Sequence, residues 1–479
     1  MKKLTLTLRW ALGLAFMLAL LIKPDVLFSA GGVTFAMANF ITTSVSWAGK
    51  ESFNHFFKPM FIGKAPWETQ GVRVIPNVQS TMKLNYFGIA RKLLKAYVKG
   101  FSAATGTTYT QRELSVVRMK AEASEDSNDF YQTVYEQVLN QGEWDDLSGT
   151  MLMDIIMNVW TKALESDYYR IFWLSDTNKE TVTSVTQSGT ADTDYNALQG
   201  MWSRIFDNAS ATPTADQIYR YAVTDGAVAQ VQTVTMSTDA AGTGNLAIDG
   251  VDYLITRDTN ATTTFTAFKA ANATAISARG YTMSGTSTLI VTANIPGQPA
   301  AAITFTSVSG TTAYTIAATT ANIAPVALAA GEAETILNDL YKNADKVLRE
   351  VPKANKVFLV EDDVYENYIE YNESLGTERS HTMLLDGVEF TTYRGVIVMP
   401  MGWGVHLDAD FPHATGELYA YPHRVIYTET TNLVLGLDAM SEYNQTRIWY
   451  NEDEQENRFR NQIKMGTQYV HPKLMAVAY

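Results

Sequence analysis

Val357-Phe358-Leu359-Val360-Glu361-Asp362-Asp363-Val364 is the stretch that decides the fold. Four apolar residues form a short strand, and three acids follow, well placed to cap a helix that starts near Val364. That helix ends between Glu373 and Gly376. Met383-Leu384-Leu385-Asp386-Gly387-Val388-Glu389-Phe390 comes next, and its Asp-Gly pair supplies the positive φ of a tight hairpin turn. Gly395-Val396-Ile397-Val398-Met399-Pro400 is a strand stopped by proline, and Thr431-Asn432-Leu433-Val434-Leu435-Gly436-Leu437-Asp438 carries a further apolar run. Strands and helices in this order place the chain in the α+β class.

Upstream, Glu332 to Glu350 reads as one helix with Ile336, Leu337, Leu340, Ala344, Val347 and Leu348 on its apolar face. Before it lies a change in composition. Val231 to Thr320 holds 22 threonines in 90 residues and only seven charged side chains. Asp249-Gly250 punctuates a hairpin there, and an alanine-rich helical piece ends at Gly280. Strands follow at 287–294, 302–308 and 313–317. Threonine-rich alternation suits half-buried strands with a polar outer face, so 225–325 is expected to be a small inserted β-rich domain. Glycan or host-surface binding is one role open to it.

A long helix precedes that region. Apolar pairs recur at Met151/Leu152, Ile155/Ile156, Val159/Trp160, Ala163/Leu164, Tyr168/Tyr169 and Ile171/Phe172, with Asp145, Asp146 and Ser148 as N-cap candidates. The run predicts about 24 residues, roughly 36 Å of helix. A four-residue repeat drifts on a 3.6-residue helix, so its buried stripe winds and needs partners on more than one side. Further upstream, Val72, Val74 and Ile75-Pro76 make a strand. Ile89, Leu93, Leu94, Tyr97 and Val98 make a helical stripe, and Arg112 to Lys120 alternates as a return strand. Residues 39–67 read as an extended arm with at most a short helix around 49–57.

The chain has 479 residues, enough for two or three domains, and no cysteine, which removes disulfide and thiolate chemistry. Its net charge of −13 hides a split. Residues 1–120 hold 16 Lys and Arg against 4 Asp and Glu, whereas 121–479 hold 21 against 46. The basic part could be an arm that binds nucleic acid, but it holds no compact Lys/Arg block or nucleic-acid motif, and opposed charges guiding one copy onto another are the preferred reading. Lys2, Lys3, Arg9, the apolar run Trp10 to Ile22 and Ala36-Met37-Ala38 together look like an export signal. The run is shorter than a standard membrane span and the small-residue site lies late for a signal peptide, so a start at Met37 is preferred, with an export signal second and a retained membrane anchor third. Residues 1–36 are therefore expected to be absent from the working protein.

Catalytic patterns are sparse. On a strand, His406, Asp408 and Asp410 would share one side and offer a weak divalent-cation site. Glu361, Asp362 and Asp363 are most economically helix caps. The six histidines are scattered, and no hydrolase, phosphate-loop or dinucleotide fingerprint occurs. No catalytic, cofactor-binding or metal-ligating residue is assigned, and an enzyme is not expected.

The series from Val357 to Asp438, with Ser46-Trp47-Ala48-Gly49-Lys50 upstream, resembles tailed-phage major capsid proteins of the HK97 type, in wording closest to those of crAss-like phages of Bacteroidales. The resemblance implies an N-terminal arm (37–71), an extended loop (72–125), and a spine helix with the peripheral domain (126–224). The insert (225–325) follows, then the axial domain with the remaining peripheral sheet (326–479). It implies a virion subunit, assembled in the bacterial cytoplasm into pentamers and hexamers around double-stranded DNA that is contacted loosely. A portal and auxiliary or cement proteins would be partners, with no membrane in the mature form and no cofactor. Some such shells are locked by Lys–Asn isopeptide bonds. Lys83, Lys92, Lys95 and Lys99 lie in the matching excursion, but no Asn or Glu partner is identified and that chemistry is not carried over. The alternative is an exported, surface-exposed β-rich bacterial protein, a surface-layer or adhesin subunit, suggested by residues 1–38 and the Thr/Ala-rich segment.

Overall fold

The computed structural model describes residues 45–48, 71–88, 97, 99–100, 109–126, 151–177, 195–214, 216–248, 250–297, 302–375, 382–385, 388–410, 421–438, 445–451, 453–454 and 456–479. Readings that fall elsewhere lie outside the described residues. These include the 1–36 extension, most of the arm, the 89–98 stripe apart from Tyr97, the caps at 145–148, Asp249 and the Asp386-Gly387 turn. The chain forms two compact units. The smaller takes in 122–156 and 447–460, and the larger takes in 47–121, 157–446 and 461–479.

In chain order the first elements are β1 (Val45–Ala48), β2 (Val72–Ile75), β3 (Thr81–Phe87), β4 (Tyr109–Ser115), β5 (Val117–Asp126) and the helix α1 (Met151–Leu174). Then come α2 (Met201–Asn208), β6 (Ala209–Ser210) and β7 (Ile218–Tyr221). The threonine-rich segment supplies β8 (Val231–Thr238), β9 (Gly242–Ile248), β10 (Val251–Thr256), α3 (Ala261–Ala278), β11 (Tyr281–Ser284), β12 (Leu289–Ala293), β13 (Thr304–Gly310) and β14 (Ala313–Thr320). Next are α4 (Glu332–Asn343), α5 (Lys346–Glu350), β15 (Lys356–Val360), α6 (Asp362–Ser374), β16 (Thr382–Leu385), β17 (Val388–Tyr393) and β18 (Val396–Pro400). The chain closes with α7 (Gly404–Asp410), β19 (Val425–Glu429), β20 (Leu433–Leu437), β21 (Gln445–Asn451), β22 (Glu456–Tyr469) and β23 (Met475–Ala478).

β15 is central to an eight-stranded sheet ordered β16-β17-β18-β15-β19-β23-β7-β6. All five of its residues are buried, because both faces are covered. Val357 and Leu359 point into a core with Trp173, Trp202, Trp403 and Met475. Phe358 and Val360 point to the opposite core, with Ile336, Leu337 and Leu340 of α4 and Val364 of α6. The unbroken apolar run follows from that two-sided burial, since alternation is needed only where one face meets water. A second sheet runs β1-β21-β22-β20-β2, and β5 also pairs with β22.

α1 has the 24 residues expected from its repeat. Leu164, Tyr168 and Phe172, four apart, are buried. The neighbours Tyr168 and Tyr169 donate in different directions, to Asn461 Oδ1 at 3.0 Å and to the Met401 carbonyl at 2.5 Å. Partners on two sides are what a drifting stripe requires. The threonine-rich segment closes on its own apolar core, in which Phe265 and Phe268 of α3 meet Val234, Leu246, Leu289 and Val291. Its sheets are β10-β9-β13 and β11-β12-β8-β14. Ile248 pairs with Val251 across the two-residue turn, where Gly250 has φ +72°.

Four expectations from the sequence are corrected. The 332–350 helix is broken after Asn343: Asp345 leaves the helix and its carboxylate accepts from Val347 N–H at 2.9 Å, capping α5 instead. The alternating run 112–120 is two strands split at Val116, whose N–H donates to the Ser80 carbonyl at 2.9 Å. Residues 404–410 are a helix rather than a strand, so His406 and Asp408, two apart, do not share a side as they would on a pleat. Glu361 stands at the N-cap of α6 without capping it: its buried carboxylate turns inward and accepts from Gly404 N–H at 2.8 Å.

Candidate assembly surface

β3 and β4 form an antiparallel ribbon of seven residue pairs, from Thr81 opposite Ser115 to Phe87 opposite Tyr109. Period-two alternation sorts its faces. Leu84, Tyr86, Arg112 and Leu114 turn inward, whereas Lys83, Asn85, Phe87, Tyr109, Gln111 and Glu113 are exposed.

The root of the ribbon is pinned. Leu84 and Leu114 are buried with Val78 and Val434 in a separate apolar cluster. Each fully buried leucine is worth roughly 1.5–3 kcal/mol. β4 comes down onto two glycines. A Cβ on Gly436 would stand 2.8 Å from Leu114 Cδ2, and one on Gly466 would collide with the Ser115 carbonyl. Polar ties complete the root. Gln468 Nε2 donates to the Glu113 carbonyl at 2.8 Å, and Lys464 Nζ donates to the Gln79 carbonyl at 3.1 Å while pairing with Asp438 at 2.6 Å. The Arg112 guanidinium lies 4.4 Å over the Tyr469 ring, and the Tyr86 and His471 rings meet at 4.3 Å. Burial, reinforced by Lys473 and Arg112, lowers the pKa of His471. A neutral ring fits its Nδ1, which accepts from Lys473 N–H at 3.1 Å.

The far end of the ribbon has the opposite character. Phe87 is 67% exposed and Tyr109 48%, with their rings 5.0 Å apart. Tyr97, in the segment between the strands, is 94% exposed. These exposed aromatics at the end of a fixed root make the ribbon the candidate contact surface.

The residues singled out from the sequence fall as follows. Lys83 and Lys99 are exposed, and Lys92 and Lys95 lie outside the described residues. Among the described residues no group of three His, Asp or Glu side chains is placed to hold a metal ion. Asp363 gives one oxygen to Val364 N–H and the other to His423. β3 is an element that sequence reasoning misses, although Met82, Leu84 and Tyr86 alternate with polar residues. Gly436 and Gly466 are missed too, because their role depends on a strand distant in sequence.

No family model matches the chain, and no curated protein does. Solved structures similar to it include the satellite phage P4 procapsid with its size-determination protein, at 7% identity and TM-score 0.38, covering 89% of this chain and 98% of that one. The capsid of Myoviridae phage XM1 is similar at 9% identity and TM-score 0.36, covering 94% and 99%. The SrpI encapsulin complex of Synechococcus elongatus is similar at 10% identity and TM-score 0.34, covering 86% of each chain. At such TM-scores these likenesses bear no weight on what the chain does.

Proposed function

We propose that this chain is the major subunit of a virion shell with the HK97-type arrangement: arm, extended loop, spine helix, peripheral and axial sheets, and a β-rich insert. The observation that carries the reading is the β3–β4 ribbon, fixed at its root on Gly436 and Gly466 and ending in exposed Phe87 and Tyr109. On this reading the ribbon is the extended loop, α1 the spine, and the threonine-rich segment the insert. The charge split supports it: the basic stretch 37–120, with 12 Lys and Arg against 3 Asp and Glu, would lie on acidic parts of neighbouring copies. Copies would close as pentamers and hexamers around double-stranded DNA, held loosely by an acidic body. A portal and auxiliary proteins would complete the particle, with assembly in the host cytoplasm and a crAss-like phage as the source.

Negative-stain microscopy tests this on the full chain and on the chain begun at Met37. Closed shells or capsomer rings are expected from at least one of them. A monomer at every concentration and ionic strength tried would overturn the reading. Recovery of a processed form from the cell envelope would favour the surface-layer alternative.

A further inference from the structure

The threonine-rich segment joins the rest of the chain through a narrow neck. Val228 and Ile323 exchange two backbone hydrogen bonds, at 2.9 and 3.2 Å, and Val326 N–H donates to the Asp225 carbonyl at 3.0 Å. Asp225 also accepts from Ala227 N–H at 3.0 Å through its side chain, closing a tight turn with Gly226 at φ +75°. One imidazole reaches this neck from outside the segment. His423, with a side chain only 1% exposed, has Nε2 2.9 Å from the Val326 carbonyl and Nδ1 against Asp363 Oδ2 at the start of α6.

Both ring nitrogens therefore face acceptors. A carbonyl oxygen only accepts, so Nε2 carries a proton, and an ionised carboxylate requires one on Nδ1 as well. The Asp363 side chain is 39% exposed, so water reaches it beside the buried ring. The ring is then an imidazolium. Burial works against that charge, but the Asp363 hydrogen bond and charge, the Val326 carbonyl and the Asp225 charge outweigh it and raise the pKa. The nearby Arg424 guanidinium turns to the rings of Trp202 and Phe206, at 5.3 and 5.4 Å.

We propose that His423 is a protonation-gated latch on the neck of the β-rich segment, closed when both ring nitrogens carry protons and open when one is lost. The order of loss follows from the partners. The anionic carboxylate holds the Nδ1 proton, so the neutral ring keeps Nδ1–H and Nε2 gives up its proton. A lone pair then faces the Val326 carbonyl, and the tie to the neck becomes a repulsion while the tie to α6 survives. A raised folded pKa means the latch stabilises below the ordinary histidine range and is lost as pH rises through the folded value. The inference does not depend on the shell reading.

Hydrogen exchange on the full chain, corrected for intrinsic rates, tests it. Between pH 6 and pH 9 protection at 225–228 and 323–326 is expected to fall about tenfold relative to β15 and β19, the size of a lost charge-assisted hydrogen bond. His423→Phe should show low neck protection at both pH values and no step. Asp363→Asn should move the step to lower pH. A wild-type neck with no step, or the same step in His423→Phe, overturns the latch. Should His423→Phe fail to fold, the His423 13Cε1 resonance of the wild-type chain decides: titration together with the exchange step supports the latch, and titration without it overturns it.

Discussion

At the scale of single residues, Glu361 shows how a side chain can satisfy sequence logic and be used otherwise. Three acids before a helix read as caps, and Asp362 and Asp363 do occupy the first turn of α6. Glu361 is buried instead. Desolvation, offset in part by the Gly404 N–H and by Arg424, pushes its pKa up to about 8. Its Oε1 accepts from Gly404, and its Oε2 has no hydrogen-bond partner among the described residues. The native carboxyl therefore keeps a proton between its ordinary value and about 8 that the unfolded chain has lost, so its contribution to stability falls as pH rises across that window. Glu361→Gln retains the acceptor for Gly404 and removes the titration. Its Tm is expected to match wild type near pH 5 and to exceed it increasingly toward pH 9. Parallel melting curves of the two proteins across that range would refute the assignment. Sequence alone could not reveal this, because α7, which faces Glu361, read as a strand.

At the scale of elements, the sequence was most legible where a repeat reflects a single environment. α1 follows from its four-residue repeat, β15 from its apolar run, and the β9–β10 hairpin from Asp249-Gly250. It was least legible where one contact interrupts a pattern. Asp345 ends α4 by capping α5, and Val116 splits an alternating run by pairing with Ser80. The β17–β18 connection is another case. Thr392 pairs with Ile397 and Tyr393 with Val396, leaving Arg394 and Gly395 as a two-residue turn, both at positive φ. The root of the ribbon gives a test at this scale. Gly466→Ala sets a methyl against the Ser115 backbone, whereas Gly436→Ala meets a leucine side chain that can rotate away. Gly466→Ala is expected to cost about 1–3 kcal/mol and to speed proteolysis within the ribbon. Gly436→Ala should cost less. Equal costs in denaturant melts, or a ribbon left protected in Gly466→Ala, would mean that the root is not held by this approach.

At the scale of the whole molecule, the division of charge is the feature most directly tied to association. Without residues 1–36, the stretch 37–120 carries a surplus of 9 positive charges (12 minus 3), and 121–479 a deficit of 25 (21 minus 46). Between copies such a split sets a direction, because head-to-body contacts attract while body-to-body contacts repel. Exposed Arg73, Lys83 and Lys99 belong to the positive part, on or beside the ribbon that carries Phe87 and Tyr109. If electrostatic attraction brings copies together before the aromatics are buried, ionic strength controls the rate. The screening length falls from about 10 Å at 0.1 M salt to about 3 Å at 1 M. Light scattering should therefore show assembly slowing severalfold over that range, and Phe87→Ser with Tyr109→Ser should lower the yield of particles without changing the salt dependence. Faster assembly in high salt would assign the encounter to apolar burial alone and remove the charge split from the mechanism.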